Sequence, residues 1–302
     1  MNLLKRAKQF IDQNWDRTSP LLLGYSGGPD SKALLHLLLD AGVNTLHLAH
    51  LDHGWREESR EEAASLALEA KELGLFFHSK RLDNVPTKNL EDHGRKERLI
   101  FFRSLFKKYP FQALLLGSHG DDLAETSLKR IFEGAHLPFL EGFSSKTMYE
   151  EMPIWRPLAS ARKNELLTYL KRKKLTALFD KTNEDLRFLR ARLRGELIPF
   201  ITETFGKEIT DNLIQLSARA GELKEYLGRK TEKVIREGTP LSQLERIEAR
   251  FAIQQMAQAE KVSISRDLLE QLLDAVYSGG RTRQFHCRGR ALVVEQGRIH
   301  WE

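Results

Sequence analysis

Short apolar segments alternate with helical patterns through the first half of this 302-residue chain. The apolar segments lie at 21–25, 45–51, 75–82 and 113–118. Each is followed by a stretch whose apolar residues recur at helical spacing. Strands and helices that alternate in this way form a parallel sheet with right-handed crossover connections. The sequence therefore predicts an α/β domain, and such sheets bind ligands at the carboxyl ends of their strands.

The second half of the chain has a different pattern. From about residue 160 it becomes helical, and the polar residues around Gly206 favour a domain boundary. A mainly helical stretch then runs to about residue 277, followed by two strand-like segments, "RQFHCRG" and "ALVVEQGRIHW". We therefore predict two domains, 1–208 and 209–302. The second is the smaller one, mainly helical, and ends in a short β hairpin.

The composition excludes several classes of protein. Cys287 is the one cysteine, so the sequence predicts no intrachain disulfide and no cysteine-rich metal site. No apolar run approaches the roughly 20 residues that span a bilayer. The charged N-terminal segment favours an amphipathic helix over a signal peptide. We expect a cytoplasmic protein with no membrane partner. The oligomeric state stays open, a homodimer being one compatible arrangement.

Positive charge is concentrated in one segment. The net charge is +6, and residues 155–208 contain 13 Lys and Arg against 7 Asp and Glu, a surplus of six. Arg187, Arg190 and Arg194 have the spacing of one helical stripe, with Arg192 beside it. Guanidinium groups bind phosphate through two parallel hydrogen bonds. The segment favours a polyanionic partner, and a solvated basic helix face is the alternative.

The segment "GYSGGPDSK" (24–32) lies where the first predicted strand turns into a helix. Glycines allow a close backbone approach, Pro29 can open the helix, and Ser26 and Ser31 add hydroxyl donors. Amide groups at such a helix N-terminus favour an anion. The spacing fits neither the Walker A loop nor the G-x-G-x-x-G fingerprint. The sequence thus predicts a phosphate-binding loop of another kind.

The pattern S-G-G-x-D-S resembles the PP-loop of the ATP-pyrophosphatase superfamily, which has an adenine nucleotide α-hydrolase-like fold. Members cleave ATP between its α and β phosphates and adenylate an oxygen of their substrate. The resemblance implies ATP and Mg²⁺ as cofactors, with Asp30 orienting both, and leaves the metal ligands unknown. It assigns ATP binding to the loop residues Ser26, Gly27, Gly28, Pro29, Asp30 and Ser31. Lys32 would suit phosphate, although an early-helix lysine is usually solvated.

Five further segments indicate which family of this superfamily the sequence resembles. They are "LDHGWREES" (51–59), "GRKERLIFF" (94–102), "GSHGDDLAET" (117–126), "WRPLASARKNEL" (155–166) and "DKTNEDLRFLRARLRGELIP" (180–199). In collinear order over residues 20–200 they resemble the tRNA(Ile)-lysidine synthetase family. In the implied reaction, the C2 oxygen of the wobble cytidine in the CAU-anticodon isoleucine tRNA attacks the α-phosphate of ATP. Free L-lysine then displaces AMP and gives lysidine.

Asp122 and Glu125 are three residues apart, so they share one helix face. The resemblance assigns them to lysine binding. A pair of acids favoured by the helix macrodipole is the alternative. Asp121 is predicted to be the helix N-cap. Asp30, His119 and Asp122 are the candidate catalytic residues, with His119 positioning a group or transferring a proton; a purely structural histidine is the alternative.

The resemblance also implies contacts to the two nucleotide substrates. Asp52 and His53 are expected near the adenosine. The expected tRNA or phosphate contacts are Arg95, Arg98, Arg187, Arg190, Arg192 and Arg194. Three positions depart from the family pattern, since Ser118, Leu99 and Ala191 replace its histidine, tyrosine and asparagine. The second domain is expected to contact the body of the tRNA.

Other functions remain open from the sequence. Another PP-loop adenylating enzyme could act on tRNA or on a small-molecule carbonyl. The tRNA thiolases that carry sulfur or an iron–sulfur cluster need paired cysteines, whereas this sequence has Cys287 alone. Glutamine-dependent ligases need an attached glutaminase with a reactive cysteine, which this sequence also lacks. A non-catalytic tRNA-binding protein is a third alternative. The intact S-G-G-x-D-S loop and the pair Asp122 and Glu125 argue against it.

Overall fold

The computed structural model describes residues 2–54, 59–82, 90–178, 186–280, 282–287 and 290–301. The parts of the sequence motifs at 55–58 and 180–185 lie outside the described residues. The chain forms two compact units. The first comprises Met1–Glu133 and Gly142–Ser217, and the second comprises Gly134–Glu141 and Ala218–Glu302.

The first unit contains a six-stranded sheet. Its strands are β1 Leu21–Gly24, β2 Leu46–Asp52, β3 Phe76–Arg81, β4 Ala113–Leu115, β5 Lys146–Tyr149 and β6 Met152–Trp155. The spatial order is β3-β2-β1-β4-β6-β5. All neighbouring strands are parallel except β5, which pairs antiparallel with β6. The predicted parallel α/β sheet is confirmed.

The hairpin of β5 and β6 was not predicted from the sequence. Each strand has four residues, and β5 lies at the edge of the sheet with most of its side chains exposed. Glu150 adopts a left-handed conformation with φ of 52° at the turn. An edge strand of this kind carries no long apolar run, so its sequence lacks the usual signal of a buried strand.

Helices cover both faces of the sheet. The helices of this unit are α1 Leu3–Asn14, α2 Pro29–Asp40, α3 Ser59–Glu72, α4 Leu90–Phe106, α5 Gly120–Phe132, α6 Lys163–Lys173, α7 Leu189–Arg192 and α8 Ile198–Phe205; α9 Ile209–Glu237 begins here. Leu21 and Leu23 belong to the core cluster that includes α1, α2 and α6. Leu22 and Leu114 belong to the opposite cluster, which includes α4. Strands buried on both faces explain the continuous leucine run of β1.

The strand order reverses between β1 and β4, so the segments that follow these two strands meet at one edge of the sheet. A Cβ atom added at Gly117, after β4, would lie 2.9 Å from the carbonyl carbon of Asp30, at the start of α2. This backbone contact leaves room for glycine alone, since real Cβ atoms do not approach so closely. The crevice at this switch point is where open α/β sheets bind ligands.

The second unit is mainly helical, as predicted. It contains the rest of α9, α10 Arg246–Ala259, α11 Arg266–Tyr277 and the strands β7 Arg283–Cys287, β8 Arg290–Glu295 and β9 Arg298–Trp301. The terminal antiparallel sheet has three strands rather than the two of the predicted hairpin. The sequence predicts a single strand over 291–301. Gln296 and Gly297 both have positive φ, which makes the two-residue turn of a second hairpin.

The division between the units falls within α9, after Ser217. The predicted boundary between residues 208 and 209 lies just before this helix. The assignment of a tRNA-contacting role to the second part of the chain remains a prediction. Within the described ranges, no helix combines the length and apolar character needed to cross a membrane.

Leu23 provides a test of where the core is centred. Its side chain is fully buried in β1, so Leu23→Ala should lower the free energy of unfolding by about 2–5 kcal/mol through lost burial and a residual cavity. Urea denaturation measures this loss. Leu68→Ala, at a side chain that is 58% exposed, is the control and should have little effect. Equal losses in the two variants would contradict this description of the core.

Candidate active site

The loop between β1 and α2 is held in shape by serine hydroxyl groups. The Ser31 Oγ donates to the carbonyl oxygen of Gly28 at 3.1 Å and accepts from the backbone N–H of Ser26 at 3.2 Å. Gly27 has φ of +74°, and a Cβ there would lie 2.7 Å from both Leu66 and Leu178. The loop therefore requires glycine at this position for its backbone conformation and for its packing.

The start of α2 suits an anion. Gly28 is the N-cap, Pro29 opens the helix, and no side chain of the described residues caps this helix. The first amides of a helix lack partners within the helix, and its N-terminus carries a partial positive charge. The loop therefore has the features that favour an anion, and ATP binding by its residues remains a prediction.

Lys32, one turn into α2, is neither solvated nor directed to the loop. Its Nζ lies 2.9 Å from Glu69 Oε1, and the hydroxyl of the buried Tyr25 donates to Glu69 Oε2 at 2.7 Å. The lysine therefore fastens α2 to α3. This contact separates Lys32 from the residues that can bind phosphate.

The second part of the site begins at the N-terminus of α5. His119 is the N-cap, and its backbone N–H donates to Asp122 Oδ2 at 3.0 Å. The predicted N-cap, Asp121, was wrong, because it lies in the first turn of α5 and accepts from the backbone N–H of Lys163 at 2.7 Å. Asp121 therefore links α5 to the start of α6, where Arg162 also lies 3.3 Å from its carboxylate.

The His119 ring is buried among three carboxylates. Its Nε2 lies 3.5 Å from Asp30 Oδ1 and 3.6 Å from Asp122 Oδ2, and its Nδ1 lies 3.5 Å from Asp121 Oδ2. Burial opposes a charged ring, but the carboxylates of Asp121, Asp30 and Asp122 outweigh it and raise the pKa of His119 to about 9. At neutral pH the imidazole is therefore a cation that holds the acids together.

Asp30 has a second cationic partner that was missed from the sequence. Its Oδ1 accepts from Lys163 Nζ at 2.5 Å. Burial opposes ionisation of Asp30, yet His119 and Lys163 together lower its pKa. Lys163 is the first residue of α6, a position at which a helix disfavours a cation. A lysine in such a place is a signal for a nearby carboxylate.

Asp122 and Glu125 face a common guanidinium group. Arg194 Nε donates to Glu125 Oε1 at 2.6 Å, and Arg194 Nη2 lies 3.5 Å from Asp122 Oδ1. Glu125 is 1% exposed, and burial raises its pKa against the attraction of Arg194. Its Oε2 is buried and has no hydrogen-bond partner among the described residues. The two acids thus form a pair with unused capacity to accept hydrogen bonds.

The predicted arginine stripe is not a regular helical stripe. Arg187 precedes α7, and a π-helical turn, Leu193–Leu197, separates α7 from α8. Arg187, Arg190 and Arg192 are exposed. Arg187 lies outside the helix and Arg194 lies in the π-helical turn, so α-helical spacing does not align the three side chains.

Several arginines nevertheless lie close together. Desolvation, and then the charges of Arg95 and Arg190, lower the pKa of Arg98. Arg156 also lies within range of this group, since burial and the charge of Arg95 lower its pKa. It donates to the Ser144 carbonyl at 3.0 Å. A group of like charges of this kind attracts a polyanion.

Asp52 and His53 lie at the end of β2, beside the end of β1. Asp52 accepts from the Gly54 backbone N–H at 2.8 Å and from Arg81 Nη1 at 2.9 Å. Burial, and then the charge of Arg98, lower the pKa of His53 to about 4, so the ring is neutral at pH 7. Asp52 therefore shapes the segment after β2, and the adenosine contact of both residues remains a prediction.

The carboxylates fit Mg²⁺ only in combination with a nucleotide. Among the described residues, no three His, Cys, Asp or Glu side chains are grouped so that they could hold a metal ion. Asp30 and Asp122 approach the same nitrogen of His119 and offer oxygen ligands. Mg²⁺ commonly binds one or two carboxylates together with substrate phosphates and water. Asp30 fits that arrangement, whereas Asp122 also faces Arg194.

The family relationship follows from comparison with known proteins. A family model described as a PP-loop domain matches residues 1–201. The tRNA(Ile)-lysidine synthase of Protochlamydia amoebophila is 33% identical over 98% of this chain and 68% of its own length. The enzyme of the same name from Chlamydia trachomatis is 33% identical over 93% of this chain and 91% of its own length. The chain belongs to the tRNA(Ile)-lysidine synthase family.

The fold of this lysidine synthase family member also occurs in solved structures. The U34-tRNA thiolase NcsA of Methanococcus maripaludis superimposes with a TM-score of 0.55. The alignment covers 73% of this chain and 79% of the thiolase, at 17% sequence identity. The likeness confirms the predicted PP-loop fold.

Two of the three departures from the lysidine synthetase pattern lie in packed surroundings. Leu99 packs against the core cluster on the α4 side of the sheet. Ala191 is 9% exposed on α7. Ser118 is partly buried directly before His119. The apolar replacements thus serve packing in this chain, whereas nothing in the structure explains the serine.

The charge on His119 predicts a pH-dependent stability. Because its folded pKa of about 9 lies above the ordinary value of 6.5, protonation stabilises the fold fully below pH 6.5. That contribution is lost as the pH rises through 9. The difference in free energy of unfolding between the wild-type protein and His119→Gln should therefore shrink by roughly 3 kcal/mol between pH 6 and pH 10.

Urea denaturation at a series of pH values measures this difference. His300→Gln, at an exposed position of β9, is the control and should show no such trend. A pH-independent difference for His119→Gln would mean that the ring is not held as a cation.

Proposed function

We propose that this chain ligates free L-lysine to C2 of the wobble cytidine in the CAU-anticodon isoleucine tRNA, with ATP cleaved to AMP and pyrophosphate. The observation that carries the proposal is the meeting of the anion-binding loop, the buried acid pair and the arginine group in a chain of this family. Another PP-loop adenylating activity is not favoured, because the curated relatives are named tRNA(Ile)-lysidine synthase.

In the first step the C2 carbonyl oxygen of the cytidine attacks the α-phosphate of ATP, and pyrophosphate leaves. The loop amides and the hydroxyls of Ser26 and Ser31 would hold the phosphates being released. Asp30, fixed by Lys163 and His119, would hold Mg²⁺, which neutralises charge on the pyrophosphate. Positioned charges of this kind stabilise a transition state because they need no reorganisation during the reaction.

In the second step the amine of lysine attacks C2 and AMP leaves. Asp122 and Glu125 are suited to hold an ammonium group of the lysine, since Glu125 is buried and has an unused oxygen. A bound lysine is thereby oriented towards the activated carbon. Orientation of two reactants in one site removes much of the entropic barrier to their reaction.

The arginine group supplies the contact to tRNA. The charges of Arg95 and Arg190 act on Arg98 in the free protein, and phosphate groups would offset this concentration of positive charge. Phosphate contacts of this type dominate the affinity of proteins for nucleic acids. We further propose that the second unit contacts the body of the tRNA and that the reaction takes place in the cytoplasm.

Incorporation of radiolabelled lysine into an isoleucine tRNA transcript with a CAU anticodon tests the function. Labelling should require ATP. A methionine tRNA with the same anticodon is the control and should stay unlabelled, since the enzyme must discriminate between the two. The absence of labelling from both tRNAs, with protein that binds ATP, would refute the proposed reaction and point to a different substrate.

Asp30→Asn tests the role of the loop carboxylate. The substitution keeps the shape of the side chain but removes the charge that Lys163 and His119 hold, so lysine incorporation should fall about 10²–10³-fold. The tRNA affinity should change by less than about twofold, because a carboxylate makes no favourable phosphate contact.

Asp40→Asn is the matched control. Asp40 lies at the other end of α2 and also pairs with a lysine, Lys173, at 2.7 Å. Its replacement should leave incorporation unchanged. A large loss of tRNA affinity in Asp30→Asn would show that the loop contributes to tRNA binding instead.

A further inference from the structure

The acid pair proposed to bind lysine already holds a cation from the chain itself. Arg194 Nε donates to Glu125 Oε1 at 2.6 Å, and Arg194 Nη2 lies 3.5 Å from Asp122 Oδ1. Both carboxylates therefore face one guanidinium group. A guanidinium and an ammonium group both bind carboxylates by donating charged N–H hydrogen bonds.

The two cations compete for this site. Glu125 is 1% exposed and its unpaired Oε2 is itself buried, so the pair is shielded from an incoming ammonium group while Arg194 is in place. A buried carboxylate without a cation is strongly unfavourable, which explains why a resident partner is present before a substrate arrives. Lysine binding therefore requires Arg194 to withdraw.

The segment that carries Arg194 is suited to such a movement. Arg194 lies in the π-helical turn Leu193–Leu197, next to Gly195, and its side chain is 46% exposed. A π-helical turn is rare in proteins and occurs frequently at functional sites. Arg190 lies near enough for its charge to act on Glu125 and on Arg98. The acid pair and the arginine group thus lie within electrostatic range of each other through Arg190.

We propose that Arg194 competes with substrate lysine for Asp122 and Glu125, and that it leaves them for a phosphate group when ATP or tRNA binds. The inference rests on the proposed function. Lysine then binds tightly only to the enzyme that holds a phosphate-bearing substrate. Because coupling between two ligands is reciprocal, lysine raises the affinity for that substrate by the same factor.

Equilibrium dialysis with radiolabelled lysine tests the competition. Arg194→Met removes the resident cation, and lysine should bind about tenfold more tightly to this variant than to the wild-type protein without nucleotide, as expected for one hydrogen-bonded charge pair. A purely structural role would weaken binding instead. Arg194→Lys keeps a competing cation and should bind lysine with an affinity between the two.

Lys129→Met is the matched control. Lys129 lies on α5, the helix of Glu125, and pairs with Glu133 at the surface at 3.5 Å. Its replacement removes one positive charge without touching the acid pair, so the lysine affinity should not change. Thermal unfolding of each variant verifies that it is folded before dialysis.

The phosphate exchange is tested in separate arms with a non-hydrolysable ATP analogue and with the tRNA transcript. The ligand that releases Arg194 should raise the lysine affinity of the wild-type protein about tenfold. The same ligand should change the lysine affinity of Arg194→Met little. Equal lysine affinities of Arg194→Met and wild type would overturn the inference while the proposed function stands. If the wild-type protein bound no lysine in any arm, the function and the inference would fail together.

Discussion

The active-site region depends on the balance between buried carboxylates and the cations that the chain supplies to them. Asp30, Asp121, Asp122 and Glu125 come from two helix N-termini that meet at one edge of the sheet. Helix N-termini favour acids, but a group of acids repels itself and is costly to bury. His119 lies among three of these carboxylates and becomes charged in response. The arrangement of the surrounding elements follows from the need for such partners: α6 brings Lys163 and Arg162, and the π-helical turn brings Arg194.

Much of this architecture could be predicted from the sequence because its signals are local. The leucine runs of β1 and β4 and the glycine–serine loop are read directly from neighbouring residues. The pairing of Asp122 with Glu125 on one helix face follows from helical periodicity alone. In each case a few consecutive residues determine the feature, and tertiary contacts do not alter it.

The failures of prediction have a common physical cause. Lys163 and Arg156 are recognised as parts of the site only when the fold places them beside Asp30 and Arg95. Aspartate is a residue type favoured at the N-cap, yet Asp121 instead accepts a hydrogen bond from the backbone N–H of Lys163 at the start of α6. The π-helical turn breaks the assumed periodicity of the arginines, and the edge strand β5 lacks an apolar run. These features depend on contacts between residues far apart in the chain, which spacing rules do not describe.

The close packing of Gly117 against the backbone of Asp30 has a consequence for the order of folding. These two residues come from segments that follow β1 and β4, whereas β1 pairs on its other side with β2, its nearer neighbour in sequence. Contacts between distant residues form late, because a long loop must close first. A chain in which only β1 and β2 have paired still lacks the contact between Gly117 and the backbone of Asp30. We therefore expect the loop to reach its binding conformation only when β4 has joined the sheet, so that a nucleotide would stabilise the folded domain alone.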